Sequence, residues 1–259
     1  MRTRSHDHGA RLGIVGTGRL GGAVRRLATD QGHPVHVYDT RAPGKWRAAS
    51  VPDVIVDCSA AAVVNQVADL CGEFGLPLVE CVSGLTDGQL DHLSALGRAA
   101  PVVLAANLSL GNYLQTRALR YIADVLVAME RAGVRDVMPE AAVLERHPAT
   151  KAHRPSTTAV ALAREWSRRT SGMVVDVASL RAGPAVSDHE IRLGWAEQSL
   201  TVTHEVRSLG AAASGAIRIA GWVAGRPPGT YTVHEAYDDL LATTGGTAEP
   251  GPQGGDGRG

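Results

Sequence analysis

Gly13-Ile14-Val15-Gly16-Thr17-Gly18-Arg19-Leu20-Gly21 decides how the first half of this chain is read. An apolar run over residues 12–15 stops at Gly16 and helical spacing starts at residue 20, so Gly16-x-Gly18-x-x-Gly21 falls between a strand and a helix. The first glycine permits the tight turn. The second lets the backbone approach a pyrophosphate, and the third lets the helix pack closely on the strand. Unpaired N–H groups at the helix start would hold the phosphates. Asp39 closes the next apolar run about 20 residues on, where folds of this kind meet a ribose hydroxyl. Together these residues predict a dinucleotide site. Asp39 repels a 2′-phosphate and favours NADH, whereas Arg19 and Arg41 are close enough in sequence to pair with one, so NADH and NADPH both stay open.

The alternation continues beyond this turn. Apolar runs at 35–38, 54–56 (ended by Asp57), 76–79 and 102–105 predict strands, and 20–28, 60–71 and 86–96 predict helices, the last with Thr86 as its N-cap. Short apolar strands alternating with helices predict a parallel sheet covered on both faces. After residue 108 the texture changes. One long helix is expected over 114–131, then longer alternating stretches at 136–144, 173–180, 190–195 and 199–206, interrupted by a helix over 156–169. Strands joined without regular crossover helices predict a mixed or antiparallel sheet. Helical spacing returns over 211–224, followed by a turn at Gly225, Pro227, Pro228 and Gly229 and a last short helix. The fold class is α/β: a Rossmann-type parallel-sheet domain over 11–108, then an α+β domain with a mixed sheet over 109–210. Residues 1–10 and 243–259 offer little to bury and are expected to be disordered.

Composition narrows the function. Lys and Arg total 26, as do Asp and Glu, a balance unlike the basic excess of an electrostatic nucleic-acid binder. No apolar run approaches the ~20 residues of a membrane span, and the N-terminus lacks the apolar stretch of a signal peptide. Cys58, Cys71 and Cys81 show no CxxC spacing, so neither a disulfide framework nor a metal site is expected. The expectation is a cytoplasmic protein without nucleic-acid, membrane or metal partners. Only Lys45 and Lys151 among the 26 basic residues are lysines. A lysine kept in so arginine-rich a chain points to ammonium chemistry, though chance survival of a surface lysine is an equal reading.

The most chemical stretch is Glu145-Arg146-His147-Pro148-Ala149-Thr150-Lys151-Ala152-His153-Arg154-Pro155-Ser156-Thr157-Thr158-Ala159. A strand is expected to run into a loop carrying His147 and Lys151, and a helix to begin near Ser156. A positive helix end, an ammonium and several hydroxyls then converge on one point, which suits a carboxylate. His147 can exchange a proton near neutral pH. An ordinary capped helix beside a solvated His and Lys is the competing reading of the spacing alone.

This segment resembles the signature of the 4-hydroxy-tetrahydrodipicolinate reductase (dihydrodipicolinate reductase) family, roughly Glu-x-His-His-x-x-Lys-x-Asp-Ala-Pro-Ser-Gly-Thr-Ala. Glu145, His147, Lys151, Pro155, Ser156, Thr158 and Ala159 match in register. Further matches recur in order, at Gly84-Leu85-Thr86-Asp87, Ala105-Ala106-Asn107-Leu108-Ser109-Leu110-Gly111, Arg181-Ala182-Gly183, Asp188-His189-Glu190, Thr203-His204 and Gly215 to Trp222. The resemblance implies an NAD(P)H-dependent reductase of a carboxylated cyclic imine or enamine in lysine and diaminopimelate biosynthesis. It implies a homotetramer formed through the mixed sheet, with residues 211–242 packing back on the Rossmann half. It also implies roles: His147 as catalytic proton donor, Lys151 meeting the substrate, and Ser156, Thr157 and Thr158 binding a carboxylate. On the cofactor side, Arg19, Leu20, Ser59, Ser83, Gly84 and Asn107 join Gly16, Gly18, Gly21 and Asp39.

The chain departs from the pattern near the chemistry. Pro148 replaces a second histidine, His153 an aspartate and Thr157 a glycine, while Cys81-Val82-Ser83-Gly84 replaces Gly-Thr-Thr-Gly and the glycine-rich turn is one residue shorter. That distribution keeps two other readings open: a related reductase acting on a different imine or unsaturated amino acid, and a catalytically silent dinucleotide binder.

Overall fold

The computed structural model describes residues 9–48, 50–172, 174–183 and 187–244. The disorder expected of 1–10 and 243–259 concerns residues that lie, but for four of them, outside this range, as does residue 173. The first layer is a six-stranded sheet in the order β10-β5-β4-β3-β1-β2, every pair parallel. Its strands are β1 (Leu12–Val15), β2 (Val35–Tyr38), β3 (Val54–Asp57), β4 (Leu78–Glu80), β5 (Pro101–Leu104) and β10 (Gly229–Thr232). Strand alternation splits the apolar residues between two faces. Val54 and Val56 share one buried cluster with residues of helices α1 (Arg19–Asp30), α6 (Gly210–Val223) and α7 (Val233–Thr244). On the other side Ile55 shares a second buried cluster with residues of α2 (Val64–Phe74) and α3 (Asp87–Gly97). The two-sided parallel sheet predicted from the sequence is therefore present.

Thr86 caps α3 as predicted: its hydroxyl accepts the Gln89 N–H at 3.3 Å, and Gln89 Oε1 accepts the Thr86 N–H at 3.0 Å. Such reciprocal capping fixes where the chain leaves the loop after β4.

The second layer is a mixed sheet, β7-β6-β8-β9, with β6 (Glu140–His147) parallel to β7 (Val174–Arg181) and antiparallel to β8 (Ser187–Gly194), which pairs antiparallel with β9 (Ser199–Val206). Helices α4 (Leu110–Arg131) and α5 (Thr157–Thr170) cover one face, burying Leu119, Leu162 and Trp166 against Val143, Ile191 and Leu193.

Three differences from the sequence reading bear on packing and on the site. Helix α4 starts at Leu110, a turn before the expected residue 114, through Gly111 and Asn112, both poor helix formers. Packing explains the glycine, since a Cβ at Gly111 would lie 2.5 Å from the His204 ring of β9. Strand β6 runs to His147, which is thus a strand residue paired with Arg181 and not the loop residue expected. Residues 229–232, read as part of a turn after the Gly/Pro cluster, form the parallel edge strand β10 beside β5.

Helix α6 carries the chain back from the second layer onto α1, β3 and β4. A Cβ at Gly215 would fall on the Leu108 carbonyl, so only glycine lets α6 settle against the crossover between the layers. Gly215→Ala should overpack this contact and destabilise the protein by about 1–3 kcal/mol. Urea unfolding followed by tryptophan fluorescence measures the loss.

Candidate active site

The glycine-rich turn sits at the C-terminal edge of β1, where parallel sheets of this kind receive ligands. Gly16 has φ +91°, and a Cβ there would stand 2.7 Å from the Cys58 carbonyl. A Cβ on Gly21 would fall on the Gly16 carbonyl, so the third glycine is needed for α1 to approach the turn. Gly18 differs: among the described residues, its chain neighbours aside, nothing lies within 4 Å of its Cβ position. It precedes α1 without a capping side chain, and the first turn of the helix holds no acidic residue. Open space over Gly18 and uncapped N–H groups on Arg19 and Leu20 fit a pyrophosphate.

Asp39 ends the next strand, and both its oxygens are engaged by Arg41: Nε reaches Oδ1 and Nη2 reaches Oδ2, each at 3.0 Å. This guanidinium lowers the pKa of the Asp39 carboxyl and sets a cation beside it at the end of β2. Ser59 follows β3, its N–H donating to Asp57 Oδ1 at 2.8 Å.

On the substrate side the organising group is Glu145, buried in β6. Its oxygens each accept the Ser156 N–H at 3.1 Å, and Oε1 also accepts from Ser179 Oγ and Arg181 Nη2 at 2.7 Å. Burial pushes its pKa up, but the donors from Ser156, Ser179 and Arg181 outweigh that and hold it at about 2. Arg181 also donates to the backbone carbonyls of Lys151 at 3.1 Å and His153 at 2.6 Å. One buried ion pair thereby shapes the loop over 148–155. Ser156 caps α5, its hydroxyl accepting the Ala159 N–H at 3.2 Å and lying 3.1 Å from His189 Nε2.

His147 Nε2 stands 3.4 Å from Glu145 Oε2, and its ring meets that of His189 edge-on, with centroids 5.1 Å apart. Burial and then the Lys151 ammonium lower the His147 pKa, with Glu145 opposing them. Burial and the neighbouring His147 lower His189 to about 4.

A cleft of about 1150 Å³ brings these parts together. Leu20, Ser83, Gly84 and Asn107 line one side, and His147, Lys151, Ser156, Thr157 and Thr158 the other. Gly16, Gly18, Arg19, Gly21, Asp39 and Ser59 lie outside that lining, toward the ends of β1, β2 and β3. Asn107 bridges the two sides, its Nδ2 donating to Thr158 Oγ1 at 3.2 Å while Oδ1 accepts from Ser109 Oγ at 2.7 Å. The sequence reading gave no role to Glu145, Arg181 or His189, although all three stand in its quoted motifs. It also passed over Glu80, whose signal was a charge inside an apolar run.

The chain matches two family models, described as "Dihydrodipicolinate reductase, N-terminus" over residues 40–108 and "Dihydrodipicolinate reductase, C-terminus" over residues 114–236. A 4-hydroxy-tetrahydrodipicolinate reductase of Gluconobacter oxydans is 31% identical over 256 residues, covering 87% of this chain and 96% of that protein. One of Myxococcus xanthus is 29% identical over 268 residues, covering 86% and 94%. Among solved structures, a dipicolinate-bound dihydrodipicolinate reductase from Paenisporosarcina sp. TG-14 shares the fold with a TM-score of 0.65 at 18% identity, covering 86% of this chain and 97% of that one.

The lowered pKa values of Glu145 and His189 make this site acid-sensitive. Groups depressed on folding stabilise the native state above their unfolded pKa, and that stability is lost as pH falls through the folded value. Native stability should therefore decline from about pH 6.5 toward 4 with His189, and again from about 4.5 toward 2 with Glu145. Glu145→Ala leaves Arg181 buried and unpaired, which should cost about 3–5 kcal/mol at neutral pH. Denaturation midpoints measured across that pH range, in both proteins, check this.

Proposed function

The chain belongs to the dihydrodipicolinate reductase family, and we propose that its cleft reduces a carboxylated cyclic imine or enamine, the dihydrodipicolinate-derived ring of lysine and diaminopimelate biosynthesis. It is an NAD(P)H-dependent oxidoreductase. The observation that supports the substrate class is the single cleft in which Ser83, Gly84 and Asn107 face Lys151, His147 and the start of α5. When bound, the reduced nicotinamide supplies a hydride to an electron-poor substrate carbon.

The protein's own residues do the rest. Lys151, the hydroxyls of Thr157 and Thr158 and the N–H groups opening α5 bind and orient a carboxylate. His147 turns Nε2 toward Glu145, which leaves Nδ1 to serve the cleft. After burial, the Lys151 ammonium helps to keep this imidazole unprotonated. A substrate carboxylate placed on Lys151 neutralises that charge, so the imidazole gains proton affinity when a proton is needed. The Arg41–Asp39 pair supports use of either dinucleotide: the carboxylate can accept from a ribose hydroxyl, and the guanidinium can pair with a 2′-phosphate.

Assembly follows the same reading. The face of the second sheet away from α4 and α5 carries Leu144 in register with Ala178 and Glu190, and we infer that four copies associate through it. Among the described residues no helix is long and apolar enough to cross a membrane.

Expression of the chain in a diaminopimelate auxotroph tests the substrate. Growth without diaminopimelate is expected. Failure of a well-expressed chain to support growth would move the reading to another cyclic imine, a possibility favoured by Thr157, whose side chain narrows the carboxylate turn in the cleft. His147→Gln should lower kcat by ~10²–10⁴-fold and leave KM nearly constant, as expected for a general acid. Steady-state oxidation of NADH with substrate reports both constants.

A further inference from the structure

Asp57 and Glu80 end β3 and β4 as direct neighbours in the parallel register, at the sheet edge where the dinucleotide is placed. Their relative exposures are 0% and 1%. Each holds the loop that follows it: Asp57 Oδ1 accepts the Ser59 N–H, and Glu80 Oε1 accepts the Val82 N–H, both at 2.8 Å. Asp57 Oδ2 and Glu80 Oε2 are buried without a hydrogen-bond partner among the described residues. The two loops are not free surface. Residues 58 and 59 close against Gly16 of the glycine-rich turn, and Cys81, Ser83 and Gly84 line the cleft.

Among the described residues no cation pairs with these acids. The titratable groups beside them are the thiols of Cys58 and Cys81, with Cys71 facing them from α2. The acids of α2 are turned elsewhere, Asp69 to His92 and Glu73 to Arg47. On the opposite face α6 brings a single ionisable residue, Arg218, held near Tyr237. Strands β1 and β5 bring none. Two adjacent buried carboxylates without a counter-ion cannot both stay charged, and one proton held between them satisfies both orphaned oxygens.

We propose that Asp57 and Glu80 form a proton-sharing carboxyl pair that positions loops 58–60 and 81–84 to receive the nicotinamide end of the dinucleotide. Both are positioning residues, since neither lines the cleft. The inference rests on the reading of loop 81–84 as the nicotinamide side of the cleft. Burial, reinforced by the neighbouring Asp57 charge, pushes Glu80 up to about 9. A group raised in this way favours the intact pair below that value, and the pair is lost as pH rises through it. The two carboxylates then repel, and the loops lose their shared anchor.

Two measurements on the full-length protein decide the matter. The first is NADH affinity by nicotinamide fluorescence between pH 7 and 10, in wild type, Glu80→Gln and Glu80→Leu. At one pH unit above the loss of the proton about one-eleventh of the protein keeps the pair, so wild-type affinity should fall about tenfold by pH 10. Glu80→Gln keeps an acceptor for Val82 but has no proton to lose, so its affinity should stay flat over the same interval. Glu80→Leu removes the acceptor and should bind more weakly than wild type already at pH 7. An equal alkaline fall in wild type and Glu80→Gln overturns the proposal. The second measurement needs no variant to fold: infrared spectroscopy of wild type at pH 8 should show a protonated carboxyl band, and its absence overturns the proposal as well. If the band is present but NADH does not bind wild type at any pH, the reading of the cleft has failed and the carboxyl pair stands. If NADH binds and the band is missing, the pair has failed and the reading of the cleft stands.

Discussion

The substrate half of this protein depends on the buried ion pair between Glu145 and Arg181. Glu145 alone accepts from the start of α5, from Ser179 on β7 and from Arg181. Arg181 then passes the constraint to the loop through the Lys151 and His153 carbonyls. A buried pair of this kind adds little net stability relative to apolar packing, since desolvation offsets most of the Coulomb attraction. What it supplies is geometry. A single carboxylate fixes the strand end bearing His147, the loop bearing Lys151 and the helix start bearing Ser156, so the groups proposed to meet one ligand share one anchor.

The same residue type behaves in the opposite way some distance off. Glu145 is surrounded by donors and stays ionised down to about pH 2. Glu80 is equally buried but faces a second acid and thiols, and is driven toward its neutral form. Burial disfavours the charged state in both, so the sign of each shift is decided by which partners remain. The contrast falls between the layers: an ionised carboxylate organises the polar groups at the end of β6, and the proposed proton-sharing pair sits at the ends of β3 and β4.

The fold was legible because its signals are local. Gly16, Gly18 and Gly21 announce the first turn, the parallel strands read as short apolar runs, and Thr86 marks the start of α3. Legibility failed where a tertiary contact overrides a local preference. Gly111 and Asn112 argue against a helix, yet α4 includes them because the glycine admits the His204 ring. The cluster of Gly225, Pro227, Pro228 and Gly229 reads as a turn, and β10 forms only because β5 offers it an open edge. In the site, the motif from Glu145 to Ala159 brought His147, Lys151 and Ser156 into view. It could not show that Glu145 ties them together, because Ser179 and Arg181 arrive from another strand. Asp39 is the clearest limit. Its position in the chain suggested a ribose acceptor and set Arg41 nearby for a phosphate, but spacing could not show that the two pair with each other.

The substitution of Pro148 for a second histidine looked like a lost proton-handling group. The three-dimensional arrangement changes that view. His189 on β8 brings an imidazole edge-on to His147, with ring centroids 5.1 Å apart, while its Nε2 lies 3.1 Å from Ser156 Oγ. A histidine adjacent in sequence would sit at the mouth of a loop, but His189 is held within a sheet, its carbonyl accepting from Gln115 of α4 at 2.7 Å. Burial and His147 keep it neutral at physiological pH, so it cannot be the acid. It can instead confine the orientation of the His147 ring and, through the cap residue Ser156, couple that orientation to the helix start proposed to meet the carboxylate. Proline at position 148 then serves the backbone, ending β6 where the chain must turn toward Lys151, and its carbonyl accepts the Lys151 N–H at 3.0 Å. On the proposed reading the proton chemistry rests on one imidazole, and the geometry around it is assembled from three separate segments of the chain.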